Sequence, residues 1–200
     1  MHLLSSNSRS TCLAKLKTKT DHGQDGLRVV QWIYFSFYSK SICQLHGQPP
    51  HFLNIGQGKG IATYFNDKFT HIEDIARETI QISKFSSEYI DSINVYRNQR
   101  GLPADLINDL TSLISENKIT IITGDFNICS RVKWNNSVST HLKSLGCKQY
   151  QLGPTHIKGG HIDHLYIKHD GPRSIKVETD RYSPYYSDHD GILTILTPQT

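Results

Sequence analysis

Residues 119–127 read ITIITGDFN, and the reading of this stretch decides the fold. Ile119 to Thr123 are all β-branched, the composition of a strand buried on both faces. Gly124, Asp125 and Asn127 follow at once, where that strand comes to the surface. All three favour turns, because Gly accepts positive φ and the short polar side chains bond to nearby backbone. The same residues also suit the edge of an active site. Other strand ends decide between the two readings, according to whether they carry matching polar groups.

Working outward, periodicity supplies a coarse map. Pro103 opens PADLINDLTSLISEN, where Leu106, Ile107, Leu110, Leu113 and Ile114 recur at helical spacing with acids in the first turn. A short helix is expected near Val138 to Leu145. LRVVQWIYF from Leu27, GIATYF from Gly60 and DSINVY from Asp91 read as strands, as do HIDHLYI, SIKVET and GILTIL towards the C-terminus. HIEDIARETIQISKF, residues 71–85, fits a helix in its first half and a strand in its second. GQGKG ahead of Ile61 lacks the Lys-Ser/Thr ending of a phosphate loop and reads as a hairpin turn. Strands mixed with helices and ending in a β-rich run imply α/β or α+β layering.

Composition sets the bounds. A chain of 200 residues with 36% hydrophobic content supports one sizeable domain. Lys and Arg exceed Asp and Glu by 22 to 18, which permits a polyanionic substrate without requiring one. Cys12, Cys43, Cys129 and Cys147 form no Cys-x-x-Cys pair, so neither a zinc ribbon nor a disulfide framework is expected, and a reducing compartment fits. MHLLSSNSRS has too short an apolar stretch for a secretory signal, and Leu27 to Tyr38 is too short and too polar to span a bilayer. No membrane partner is expected.

The polar residues then fall into place. Asp125 and Asn127 end one strand, Asp163 and His164 follow a Gly-Gly pair at the start of another, and Asp188, His189 and Asp190 precede the last. A single Asp at a strand end is usually a turn or a cap. Carboxylates, an amide and an imidazole converging from three separate strand ends suit metal-assisted attack of water on a phosphate ester.

NVYRNQRG (94–101), TGDFN (123–127), THIKGGHIDHLYI (155–167) and YSDHDGI (186–192) together resemble the endonuclease/exonuclease/phosphatase superfamily, most of all the endonuclease domains of non-LTR, LINE-type retrotransposons and related mobile elements. The resemblance runs from about Gly58 to Leu196. It implies a four-layer sandwich of two β-sheets flanked by helices, with the active site at one end of the sheets. It gives Asp125 and Asn127 the orientation of the attacking water and contact with the phosphate, Asp125 being one candidate base. His189 would bind the scissile phosphate or act as base, with Asp163 holding its ring. Asp188 would help to bind Mg²⁺, with Mn²⁺ as substitute. Tyr96 would hydrogen-bond the phosphate, and Asn98 and Arg100 lie where the family contacts the DNA backbone.

The chain also departs from that pattern. The family places an Asn on its first strand, for which Asn7 is the candidate, and a metal-binding Glu on its second. Between Leu27 and Asn66 no acid occurs at all. Residues 1–57 therefore read as a divergent or truncated part of the domain and 58–200 as its core, with a weakened or silent site expected unless Glu73, Glu78 or another acid takes the role. His161 and His164 offer part of a zinc-hydrolase pattern whose first His would fall at Gly159, so His156 and His164 read as structural, and His51 and His71 as surface residues. Trp134, with Arg131 and Lys133 nearby, could stack on a base or pack as a loop aromatic.

Three functions stay open on the sequence: a Mg²⁺-dependent endonuclease acting on DNA, a non-catalytic nucleic-acid-binding remnant, and a phosphatase of inositol or other small phosphates. The mobile-element character of the motifs favours DNA, an intracellular and nuclear location, and a monomer or one part of a larger mobile-element polyprotein.

Overall fold

Ile119–Asp125 forms a strand with a neighbour on each side, as its double-sided apolar pattern requires. The computed structural model describes residues 27–31, 51–56, 59–63, 65, 67–131, 137–150, 153–169, 175–183 and 188–198. Its elements in chain order are β1 (Leu27–Gln31), β2 (His51–Gly56), β3 (Lys59–Thr63), β4 (Thr70–Ala76), β5 (Ile80–Ser86), β6 (Ile90–Arg97), α1 (Pro103–Leu113), β7 (Ile119–Asp125), α2 (Ser137–Ser144), β8 (Cys147–Tyr150), β9 (Asp163–Lys168), β10 (Ile175–Tyr182) and β11 (Gly191–Pro198). A mixed sheet takes the order β4-β5-β6-β7-β9-β8, a second sheet runs β1-β11-β10, and β2 and β3 form a hairpin. Among the described residues β6 and β7 are the one parallel pair, and α1 supplies the crossover that such a pair needs.

Alternation sorts side chains onto the two faces of the large sheet. On one face Ile80, Ile82, Ile93, Val95 and Ile122 pack beneath Leu106, Leu110 and Leu113 of α1 and Val138 and Leu142 of α2. On the other, Ile121, Leu165 and Ile167 meet Leu196 of β11, with Ile175 and Val177 of β10 alongside. Each fully buried aliphatic side chain contributes roughly 1.5–3 kcal/mol. The result is an α/β sandwich with two sheets face to face and helices on the outer side of the larger one. Among the described residues both helices lie on that one side. None of them is long and apolar enough to cross a membrane.

The helical stripe of α1 is buried as its spacing predicts, with Pro103 in the first turn. Residues 71–85 differ from the half-helical reading. They form β4 and β5, a hairpin in which a bulge between His71 and Glu73 breaks the alternation. GQGKG does join two antiparallel strands, β2 and β3. β2 and β8 carried no clear pattern in the sequence. Asn7, Trp134 and the stretch following Gln31, where a second-strand acid was sought, lie outside the described residues.

Candidate active site

Strand register builds the site. Tyr96 of β6 is the parallel partner of Asp125 on β7, and Asp125 is the antiparallel partner of Asp163 on β9. Partners across a sheet share a face, so Tyr96, Asp125 and Asp163 form a row across three strands. All three are buried. The Tyr96 ring clusters with Leu53 and Ile61 of the β2–β3 hairpin.

The GDFN segment is both turn and site. Gly124 has φ 154°, and a Cβ there would lie 1.9 Å from the Val95 carbonyl oxygen, so only Gly lets β7 run this close to β6. Phe126 turns into the core and stacks on His164, with ring centroids 4.7 Å apart. Asn127 sits at φ 48°, a left-handed conformation that Asn tolerates. Its backbone N–H donates to Asp125 Oδ1 at 2.9 Å, and its Nδ2 donates to Asp125 Oδ2 at 3.0 Å and to the Arg97 carbonyl at 2.8 Å. Arg97, buried beneath this turn, donates through Nη1 to the Phe126 carbonyl at 2.7 Å and through Nε to that of Gly101 at 2.9 Å. Three donors, Asn127 N–H, Asn127 Nδ2 and Arg97 Nη1, thus fix the Asp125 carboxylate and the turn that follows it.

The third motif closes over this row. His189 Nδ1 lies 3.0 Å from Asp163 Oδ2 and 3.2 Å from Oδ1, within the hydrogen-bond reach expected of the pair. Residues 155–157 clamp Asp188–Asp190 in place. Ile157 N–H donates to the Asp188 carbonyl at 2.8 Å, Asp190 N–H to that of Thr155 at 2.7 Å, and the buried Thr155 Oγ1 accepts from Asp163 N–H. This clamp also brings in His156, which the sequence reading set aside as structural. Its ring meets that of His189 edge-on at 4.9 Å, and its Nε2 lies 3.6 Å from Asp188 Oδ2. His164, by contrast, is the structural residue expected. It is buried, with Nε2 2.8 Å from the Ile128 carbonyl and Nδ1 2.9 Å from Tyr166 Oη, and burial pushes its pKa down.

Two titrating groups here are displaced upward from their ordinary values. Burial, and then the charge of Asp163, push the Asp125 carboxyl up to about 7, against the smaller opposing pull of His189, Asn127 and Arg97. Burial works against charge on His189. The Asp163 hydrogen bond and charge, helped by Asp125 and Asp188, outweigh it and raise the imidazole above its ordinary value. A buried acid and a buried base share one small volume near neutral pH, an arrangement suited to proton transfer.

His156, Asp188 and His189 each offer one ligand atom, all within 4.8 Å of one another. With the His189 pKa raised by Asp163 its charged ring is no ligand, and the remaining imidazole and carboxylate of His156 and Asp188 suit a first-row transition ion such as Mn²⁺ better than Mg²⁺, which prefers oxygen and keeps its waters. The fit to Mg²⁺ is therefore partial and rests on Asp188, which is largely exposed. Glu73 and Glu78, the substitutes considered for the absent Glu, are exposed and belong to no candidate metal group among the described residues.

The structure gathers Asp125, Asn127, Asp163, Asp188, His189 and Tyr96 at one end of the large sheet. Asn98 lies at the same end, but its amide serves the local turn. Oδ1 accepts from Arg100 N–H at 2.8 Å and Gly101 N–H at 3.1 Å, while Nδ2 donates to the Glu78 carbonyl. Arg100 stands exposed on that turn. Sequence reasoning missed Arg97, whose only signal was a charged residue at the end of an otherwise buried strand.

No protein-family model and no curated relative matches the chain. Solved structures do. The endonuclease domain of TRAS1, a telomere-specific non-LTR retrotransposon, is 15% identical with a TM-score of 0.54, over 72% of this chain and 74% of that one. Truncated TDP2 of Caenorhabditis elegans is 14% identical with a TM-score of 0.51, over 74% of each chain. The two facing sheets, the flanking helices and these likenesses identify the fold of this chain as that of the endonuclease/exonuclease/phosphatase superfamily.

Proposed function

We propose that the chain is a metal-assisted phosphodiesterase of mobile-element type that nicks DNA, with activity weakened by the absent second-strand Glu. One observation carries this reading: Asp125, Asp163 and His189 meet at the end of the sheet, with Asp188 and His156 beside them. In this proposal Asp125, half-ionised near neutral pH, takes the proton from water as the water oxygen bonds to phosphorus, and the scissile P–O bond breaks with its electron pair leaving on the sugar oxygen, which takes a proton from solvent. Asn127 holds the Asp125 carboxylate in place, and His189, kept charged by Asp163, faces the negative phosphate. Asp188, with His156, would hold a divalent cation, which when bound would offset the charge developing on the phosphate oxygens. DNA as substrate is supported by the basic balance of the chain, by exposed Arg100 at the site's rim, and by the likeness to a retrotransposon endonuclease domain. A nuclear location and a place within a larger mobile-element protein accompany that reading.

Nicking of supercoiled plasmid tests it. Slow conversion to open circle is expected, several times faster with Mn²⁺ than with Mg²⁺, stopped by EDTA and reduced about a hundredfold or more by His189→Ala. Nicking that survives His189→Ala unchanged would remove the site from the reaction. His156→Gln should narrow the gap between the two ions, because it takes one nitrogen donor from the set. An unaltered Mn²⁺ preference would show that His156 is no ligand.

A further inference from the structure

A second cluster lies on another part of the molecule, between the β2–β3 hairpin and the edge of the large sheet. His51 opens β2, while His71 and Asp74 belong to β4. Residues three apart on a regular strand face opposite sides. Here the bulge changes that, since His71 pairs with Phe85, Glu73 with Lys84 and Asp74 with Ser83. Phe85 and Ser83 share a face of β5, so the bulge re-aims His71 and Asp74 onto one face of β4. His51 joins them from the hairpin, its ring stacked on that of His71 with centroids 4.0 Å apart, and the buried Phe85 meets both rings edge-on at 5.5 and 5.3 Å. Neither His is the plain surface residue that the sequence suggested. Both are half-buried.

The polar atoms of the three side chains converge. His51 Nε2 lies 2.8 Å from Asp74 Oδ2. His71 Nε2 lies 3.0 Å from Asp74 Oδ1, an ion-pair contact between two buried atoms that is out of line for a hydrogen bond. A cation between the three side chains would meet both imidazole nitrogens and the carboxylate at once. The three ligand atoms lie within 4.8 Å of one another. Around a tetrahedral ion with bonds of about 2.0–2.2 Å, donors sit roughly 3.3–3.6 Å apart, so both imidazoles must draw back from Asp74 by several tenths of an ångström and turn out of their stack to aim at the ion.

We infer that His51, His71 and Asp74 form a binding site for a zinc-class divalent transition ion that clips the β2–β3 hairpin to strand β4. Two imidazole nitrogens and one carboxylate oxygen are a donor set for such an ion, with water completing the coordination on the open side. The same hairpin carries Leu53 and Ile61 against Tyr96, so the ion steadies one wall of the candidate active site. This inference is independent of the nuclease reading.

Titration calorimetry with ZnCl₂ tests it in the full chain carrying His156→Gln and Asp188→Asn, which remove the other candidate group. One equivalent should bind and raise the melting temperature. Adding His71→Gln should weaken binding at least tenfold, since even outer-shell changes at metal sites cost 10–100-fold. No binding in the parent, or binding untouched by His71→Gln, would overturn the assignment. A readout without ligand substitutions guards against misfolding: Zn²⁺ should protect His51 and His71 from diethyl pyrocarbonate, read by peptide mass spectrometry. Equal modification with and without the ion would also overturn it.

Discussion

Asp125→Asn is expected to lower plasmid nicking by about a hundredfold or more while making the folded chain more stable at pH 8 by roughly 2–3 kcal/mol. The two effects share one cause. In the folded chain burial and the charge of Asp163 hold the Asp125 carboxyl near 7 instead of 3.8. The unfolded chain releases that proton around pH 4, whereas the folded chain keeps it until about pH 7. Stability therefore falls as pH rises from about 4 to about 7, by on the order of 4 kcal/mol for a shift of about three units. Asn carries no proton to lose, so the variant escapes that penalty. It gives up part of the bonding to Asn127, at about 1–2 kcal/mol, because an amide NH₂ would face Nδ2 where Asp125 Oδ2 now accepts. Urea denaturation at pH 5 and pH 8 measures the difference. A variant no more stable than the parent at pH 8 would mean that the Asp125 carboxylate is under no such strain.

Asp163→Asn should act on two groups at once. His189 loses the hydrogen bond and the charge that raise its pKa, while the burial that lowers it persists, so the ring should become neutral at lower pH. Asp125 loses the like charge of Asp163 and should ionise more readily. Nicking at pH 7 is expected to fall by about a hundredfold or more, through loss of the charged, oriented imidazole rather than loss of the base. NMR titration of the His189 ring follows the shift directly. A His189 titration that does not move, with nicking within threefold of the parent, would separate Asp163 from the chemistry. The backbone should hold, because Thr155 Oγ1 bonds the peptide N–H of residue 163 and not its side chain.

The parts of the site legible in the sequence were those held at strand ends by local chemistry. Gly124, Asp125 and Asn127 announce themselves because a β-branched run ends on residues that only a turn or a site accommodates. Asp163 and the Asp188–His189 pair stand out in the same way beside their strands. What stayed hidden depends on contacts between segments. Arg97 looks like a solvent-facing charge, and the carbonyls of the GDFN turn and of Gly101, helped by the charge of Asp125, make its burial acceptable. His156 joins the site because backbone bonds tie residues 155–157 to Asp188–Asp190, and no side-chain pattern records those bonds. The hairpin of β4 and β5 eluded periodicity because its bulge shifts the alternation by one residue, and the same shift hid the kinship of His71 and Asp74.

The row Tyr96–Asp125–Asp163 has a consequence for how the molecule is built. Its members come from strands far apart in the chain, β7 paired with β6 across α1 and β9 paired with β7. When β9 docks, two carboxyl groups become neighbours, and the imidazole that offsets them arrives only with the segment leading into β11. If β9 pairs with β7 before that segment docks, the two acids face each other without His189. Protonation of Asp125, whose carboxyl is pushed up by burial and by the charge of Asp163, relieves that encounter, and its ionisation makes the acids repel. Refolding followed by stopped-flow fluorescence should therefore slow between pH 6 and pH 8, and Asp125→Asn should abolish the slowing. In kinetic terms, the charge arrangement that equips the finished sheet for chemistry acts as a brake on the strand that completes it.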